Sequence, residues 1–301
     1  MGHEGIGWVR RVGSKVKSAQ EGDCVSLTFS TCSTCRLCTR GHPASCENFS
    51  ALNIGRSFGF KSNSDTSEPI GGFYFGQSSF ASWSNVKDSC VVNISSLLSE
   101  SEDFSALAPL GCGFQTGAGT VTKLGAATPD DSIAVIGTRG VGLSAIMVRA
   151  VDRISSRLEL AKSLGATHTI NTNEVDFATE VKSITEGVGS TITIDTTGSV
   201  PLVQTAVDIT AKMGKIILVG VPPLTAEVSF HFFSFLGLCK TIVASIEGDV
   251  YPRQFIPEMI KWYKNGKFPI DRMVKTYKVD DFAQAISDMD SGKTVKPVLL
   301  W

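Results

Sequence analysis

Hydrophobic positions in the first third of the chain come in short bursts, and later they come in longer blocks. Val9, Val12 and Val16 stand among Gly13 and polar residues, followed by Glu21-Gly22-Asp23-Cys24-Val25. That pattern predicts short strands and turns of a small β-domain. A Ser/Gly/Asn-rich stretch runs to about Gly72, and Phe73 to Trp83 predicts a strand pair through Gly76-Gln77-Ser78-Ser79. Leu97, Leu98, Phe104, Leu107 and Leu110 give Ser95 to Cys112 the spacing of a helix.

The composition changes after Gly113. Ser132-Ile-Ala-Val-Ile-Gly137 is a continuous apolar run ending in glycine, and Arg157 to Leu164 is an amphipathic helix stopped by Gly165. Thr191 to Asp195 and Lys215 to Val219 predict further buried strands, each followed by a Gly or Pro turn. Strands alternating with helices predict a parallel, doubly wound sheet. From Gly248 the alternation stops. Phe255 to Tyr263 and Phe282 to Met289 predict helices, and Val295 to Leu300 a last strand.

Length and charge narrow the classes. The 301 residues suffice for two domains with a substantial core. A net charge of -1 gives no electrostatic case for nucleic acid or an anionic membrane surface. No apolar run approaches a membrane span, and no basic region followed by an apolar core opens the chain. Met1-Gly2 invites a myristoylation reading, but Ile6 stands where Ser or Thr is needed. Nothing marks the chain as secreted, so its eight cysteines read as reduced thiols of a cytoplasmic protein.

Four of those thiols carry the first chemistry. Cys32-Ser-Thr-Cys35-Arg-Leu-Cys38 is followed after seven residues by Cys46, in a segment of Ser, Thr, Arg, Gly and Pro. Two-residue gaps let a tight turn present thiolates to one point, and Cys46 closes the site from beyond Gly41-His42-Pro43. The spacing predicts a closed structural zinc site. Disulfides fit a reduced chain poorly. The bacterial ferredoxin run ends in a shorter gap and Cys-Pro, which Cys46-Glu47 does not match.

The cysteine loop, Gly2-His3-Glu4 and Gly111-Cys112-Gly113-Phe114-Gln115-Thr116-Gly117 together resemble the zinc-containing medium-chain alcohol dehydrogenases. Tyr74-Phe75-Gly76-Gln77-Ser78-Ser79-Phe80-Ala81 resembles the branch acting on benzyl and other aryl alcohols. The resemblance implies a GroES-like β-rich catalytic domain over residues 1–113 and a Rossmann NAD-binding domain over 114–249. Residues 250–301 would return to the catalytic domain. It implies a small-molecule alcohol or aldehyde substrate and a homo-oligomer.

By the same resemblance His3 and Cys112 are ligands of a catalytic zinc, which acts as a Lewis acid while the alkoxide gives hydride to NAD. Alcohol dehydrogenase is itself the type example of a catalytic zinc held by two cysteines and one histidine. Glu4 resembles the nearby carboxylate that tunes the metal or briefly ligates it. Taken alone, His3 is a surface histidine near a terminus and Cys112 a small buried residue. The family's first cysteine is expected upstream of Gly-His-Glu, so the catalytic domain reads as amino-terminally incomplete, and neither Cys24 nor Cys90 has a motif to replace it.

Gly137-Thr-Arg139-Gly140-Val-Gly142 sits between a strand and a helix, the context that gives a glycine fingerprint its value. Arg139 replaces the glycine that lets backbone approach the pyrophosphate; it can supply charge there or block the approach. Asp152 resembles the acid on the ribose hydroxyls that selects NAD, Arg157 the basic residue beside that ribose, and Lys296 the one reaching the pyrophosphate. The acid is expected about 20 residues beyond the fingerprint. Asp152 follows Gly142 by ten positions, which leaves little room for a helix and returning strand. The other reading of Asp152 is a solvated cap of the helix starting near Ser155. Two functions follow: an NAD-dependent zinc alcohol dehydrogenase, or a truncated, catalytically silent relative that serves as a zinc-stabilised binding or assembly subunit. An incorrectly spliced gene model would give the same two gaps.

Overall fold

The structure, a computed structural model, describes residues 1–55, 57–60, 70–99, 104–147 and 155–301. It divides into two compact units, Met1–Gln115 with Val250–Trp301, and Thr116–Asp249.

The first unit opens with β1 (Ile6–Trp8) and β2 (Cys24–Leu27), followed by single-turn helix α1 (Arg36–Thr39) and short helix α2 (Phe49–Asn53). An antiparallel pair, β3 (Ser57–Phe60) and β4 (Ile70–Gly72), precedes β5 (Val91–Asn93). Strands β1, β2 and β5 form one antiparallel sheet in that order, with Ile6 opposite Ser26 and Leu27 opposite Val91. Val25, Leu27 and Val91 share one face and pack on Val9, Ala19 and Val86. All four residues of β2 are buried because the chain near Gly111 lies directly over it: a Cβ on Gly111 would fall 1.7 Å from the Leu27 carbonyl oxygen.

Helix α3 (Gly113–Gly119) leads into the second unit. There β6 (Ile133–Ile136) runs into α4 (Gly140–Ile146), and α5 (Ser155–Ser163) ends at Gly165, whose φ of +114° suits glycine. Helix α6 (Phe177–Ile184), β7 (Ser190–Asp195), α7 (Val200–Ile209), β8 (Thr210–Leu218), α8 (Phe232–Gly237) and β9 (Thr241–Ala244) follow. The four strands pair in parallel in the order β6-β7-β8-β9. Alternation splits their side chains between two faces. Ala134, Ile136 and Ile216 meet Phe177 and Val181 of α6 and Ala206 and Val207 of α7. On the other face Lys215 donates to the Leu124 carbonyl at 2.6 Å, beside Ile192 and Ile217. With both faces covered, the apolar runs are as continuous as a parallel sheet requires. Among the described residues nothing pairs with the outer edge of β6, and residues 148–154, where the short crossover and Asp152 fall, lie outside them.

The chain then completes the first unit with α9 (Pro252–Lys264), β10 (Val274–Lys278), α10 (Phe282–Asp290) and β11 (Lys296–Leu300), β10 and β11 being parallel. Asp288 on α10 is buried and holds this part together. Its carboxylate accepts from the Tyr277 hydroxyl at 2.8 Å, Gln284 Nε2 at 2.7 Å and Lys275 Nζ at 3.2 Å. The Tyr277 and Gln284 hydrogen bonds, with Lys275 and Lys293 behind them, overcome desolvation and depress the carboxyl pKa. A depressed pKa contributes stability that is present above the unfolded value and is lost as pH falls through the folded one. Asp288→Asn should therefore lower the thermal midpoint near neutrality. The gap from the unchanged chain should begin to narrow below about pH 4 and vanish only as pH falls through the lower, folded value. A gap that persists in acid would assign the loss to packing rather than charge.

Three local expectations are corrected. Val12 and Val16 lie in a turn and loop rather than a strand, with the Val16 amide closing onto the Gly13 carbonyl at 3.0 Å. Phe73 to Trp83 is not a strand pair. Tyr74–Gly76 is one tight turn, and Phe73, Phe75, Gly76 and Ser78 have φ between 51° and 68°. The cause is the buried Gln77 amide, which donates to the carbonyls of His3 and Thr28, both at 3.0 Å, and pulls the segment into a coil. Ser95 to Cys112 is not one helix among the described residues. Short 3₁₀ turns cover Ser95–Leu97 and Ser105–Gly111, with extended backbone at Leu98 after the first and Pro109 inside the second.

Candidate functional site

The four spaced cysteines converge. Their sulfur atoms lie within 4.8 Å of one another. Tetrahedral ligation at about 2.3 Å puts sulfurs about 3.8 Å apart, so the set fits zinc. Local geometry does this work: Cys35 caps α1, Ser33 (φ 59°) and Gly41 (φ 89°) turn the chain, and the amides of Cys35, Cys38 and Cys32 donate to the sulfurs of Cys32, Cys35 and Cys46. Amide hydrogen bonds from Thr34 and Cys35 pull the Cys32 thiol down to about 5, whereas desolvation pushes Cys38 up to about 12. Crowded thiols cannot all ionise without a cation, and a dication supplies the missing charge.

A second donor set forms from residues far apart in sequence. His3, Glu4 and Cys112 offer ligand atoms within 4.8 Å of one another. Cys112 is placed where the chain crosses β2. The Gly111 carbonyl accepts from the Thr28 hydroxyl at 2.8 Å and from Gln115 Nε2 at 2.7 Å, so backbone on both sides of the thiol is fixed. His3 is placed by Gln77 and by the rings of Tyr74 and Phe75, at centroid distances of 5.5 and 4.6 Å. Burial lowers the His3 pKa; Glu4 raises it and Lys296 lowers it, with burial prevailing. A neutral imidazole is the ligating form.

Glu4 is held on both oxygens. Oε1 accepts from the Gly113 amide at 2.9 Å, and Oε2 pairs with Lys296 at 2.5 Å. The carboxylate therefore stands beside the two other donors with its charge partly balanced. That ion pair and the Gln77 bridge are structural features of the donor set that no sequence motif shows directly; only the Gly-Gln-Ser-Ser motif hints at the second. Cys24 and Cys90 are fully buried, and among the described residues neither joins a donor cluster. Burial raises both thiols, Cys24 to about 11, as expected of packing residues.

In the second unit the glycine fingerprint borders a cavity of about 570 Å³ at the carboxyl ends of β6 and β7. A Cβ on Gly142 would fall 1.8 Å from the Gly137 carbonyl oxygen, and one on Gly137 2.4 Å from Thr196 Oγ1. These glycines are required by close packing of strand, turn and helix. Asp195 shapes the facing loop by accepting from Thr197 Oγ1 at 2.6 Å and the Gly198 amide at 2.9 Å. Arg139 and Arg157 line the cavity, with Thr138, Asn173, Thr196 and Thr197 between them and Ile136 and Leu202 on its apolar side. Thr138 is 2% exposed, and its Oγ1 has no hydrogen-bond partner. An orphaned hydroxyl, two cations and glycines that admit no side chain fit a phosphorylated nucleotide such as NAD. Asp152 lies outside the described residues, and Lys296 belongs to the first unit, on Glu4.

Comparison with known proteins agrees with this chemistry. Residues 1–96 match the alcohol dehydrogenase GroES-like domain, and residues 132–265 match the zinc-binding dehydrogenase domain. The chain is 36% identical to geraniol dehydrogenase of Castellaniella defragrans over its whole length and 83% of that protein. It superposes with a TM-score of 0.91 on benzyl alcohol dehydrogenase from Acinetobacter calcoaceticus, at 36% identity, covering 99% of this chain and 83% of that one. An alcohol dehydrogenase zinc-binding domain protein from Burkholderia ambifaria gives the same TM-score at 37% identity, with the same coverage. With a GroES-like unit, a Rossmann-type unit and relatives of this similarity along its full length, the chain belongs to the zinc-containing medium-chain alcohol dehydrogenase family.

Proposed function

We propose that the chain interconverts a primary, aryl or allylic alcohol and its aldehyde, passing hydride to NAD. The observation that carries the reading is the convergence of His3, Glu4 and Cys112 in a family that uses zinc and NAD. In this reading His3 and Cys112 hold the catalytic zinc, and Cys32, Cys35, Cys38 and Cys46 hold a structural one. Zinc supplies the Lewis acidity that lowers the alcohol's pKa, and NAD takes the hydride. The chain's own residues do the rest. Neutral His3 and the Cys112 thiolate bring one anionic charge. Glu4, fixed by the Gly113 amide and Lys296, adds a second at short range without having to move. Gly137, Gly140, Gly142, Arg157 and Asp152 form the nucleotide site, with the Asp152 carboxylate disfavouring the 2′-phosphate of NADP and so setting the preference for NAD. The names of the geraniol and benzyl alcohol enzymes suggest the substrate class. The reading includes a homo-oligomer, to which the exposed Phe232, Phe233 and Leu236 of α8 are suited as a subunit face.

The test is formation of NADH from benzyl alcohol and from geraniol by the zinc-loaded chain, with NADP in parallel. Each turnover removes two electrons and a carbon-bound hydrogen from the alcohol as hydride and releases its hydroxyl proton. Expected is turnover with both alcohols and a clear preference for NAD. Absence of NADH from a folded chain with its zinc in place would favour the silent, zinc-stabilised binding subunit.

A further inference from the structure

Arg139 occupies the fingerprint position that ordinarily calls for glycine, and the structure shows what that substitution does to the cavity. Its backbone, at φ −79° and ψ −177°, is ordinary extended chain, so nothing about the turn demands glycine there. The glycines that are demanded, Gly137 and Gly142, are kept. The turn is therefore intact and Arg139 is a change of chemistry alone. Its side chain is exposed, lines the cavity, and makes no ion pair among the described residues. Arg157, 7% exposed, lines the same cavity, and the described lining contains no carboxylate. Between the two cations lie hydroxyl and amide groups of Thr138, Asn173, Thr196, Thr197 and Ser199, the Thr138 hydroxyl being buried and unpartnered.

From this we infer that Arg139 is a phosphate-anchoring residue: the guanidinium replaces the close backbone approach of a glycine turn with an ion pair to the diphosphate of the dinucleotide. This inference rests on the nucleotide reading above and adds to it the way this chain holds the ligand. A guanidinium presents a planar fork of donors to phosphate oxygens, and hydrogen bonds between charged partners are about twice as strong as neutral ones. Binding should then depend on charge at position 139 and fall with salt more steeply than backbone contacts alone would allow.

The experiment is equilibrium titration of the full chain with NADH and with ADP, at about 0.05 M and about 0.5 M salt, where the screening length falls severalfold. Arg139→Lys, Arg139→Gln and Arg139→Gly are compared with the unchanged chain. Arg139→Lys, which keeps the charge but loses the fork, should fall between the unchanged chain and the uncharged variants. Arg139→Gln, which keeps a polar hydrogen-bonding side chain but not the charge, and Arg139→Gly should each weaken both ligands by about ten- to a hundredfold, the range of one charged hydrogen-bonding contact. Both should also flatten the salt dependence. Since position 139 is exposed, the variants fold, which a thermal midpoint near that of the unchanged chain verifies. Equal or tighter binding by Arg139→Gly or Arg139→Gln would show that the arginine obstructs the approach, overturning the inference and leaving the nucleotide reading intact. No binding of NADH or ADP by any of the four would overturn both.

Discussion

Cys35→Ser should release one zinc per chain and unfold the segment from Cys32 to Cys46. Little else holds that segment: of its residues only Pro43, Ala44 and Cys46 are buried. Its attachment to the rest of the first unit runs through the neighbouring helix. There Asn53 bridges the Ser30 amide at 2.7 Å and carbonyl at 2.9 Å, and Phe49 meets Phe29 at a ring distance of 5.8 Å. The metal therefore takes the place of a hydrophobic core. In small zinc domains the bound ion contributes about 10–16 kcal/mol near neutrality, because the site does not exist in the unfolded chain. Loss of one ligand forfeits much of that and leaves three crowded thiols. Metal analysis should find zinc in the unchanged chain that survives mild chelation and one equivalent less in Cys35→Ser, with a lower thermal midpoint. Acid should release the same equivalent, since protons compete for the thiolates. Full zinc content in the variant would mean that these cysteines are not ligands.

The cysteine loop was legible because its chemistry is local: three gaps along one segment fix the geometry before any long-range contact forms. The strands at β6 and the end of β8 are legible for a related reason, since a strand covered on both faces leaves a continuous aliphatic block, as in Ile133–Ile136 and Ile216–Leu218. Phe73 to Trp83 was misread because its conformation is imposed from outside. Gln77 reaches carbonyls of His3 and Thr28, and a Cβ on Gly76 would fall 2.5 Å from Cys90 Sγ. Neither constraint appears in the alternation of the segment itself. The ion pair of Glu4 with Lys296 joins opposite ends of the chain, so no window of sequence contains it. His3 and Cys112 are singled out by motif resemblance, not by pattern; read alone, one is a surface residue and the other a packing residue. The structure adds that Gln77, Gly111 and Gln115 are what make them neighbours.

His3→Ala should cripple alcohol oxidation while leaving the zinc of the cysteine loop in place. The imidazole lies within 4.8 Å of Glu4 and Cys112 and is kept neutral mainly by burial, so it can ligate without first losing a proton. Alanine leaves Cys112 and a carboxylate already engaged by Gly113 and Lys296, too few donors to retain an ion. Metal content should fall from two equivalents to one, the loss coming from the weaker, more readily chelated site. Turnover should drop by at least about two to three orders of magnitude, the usual cost of removing one group that stabilises developing oxyanion charge. Glu4→Gln separates position from charge. The amide retains an oxygen for the Gly113 amide but no longer offsets Lys296, so it should keep both metals and lose less activity. Equilibrium NADH binding should be unchanged in both variants, because the fingerprint cavity is built wholly from the other unit. Retention of two zincs and full turnover by His3→Ala would remove His3 from the metal site, and with it the observation on which the dehydrogenase reading rests.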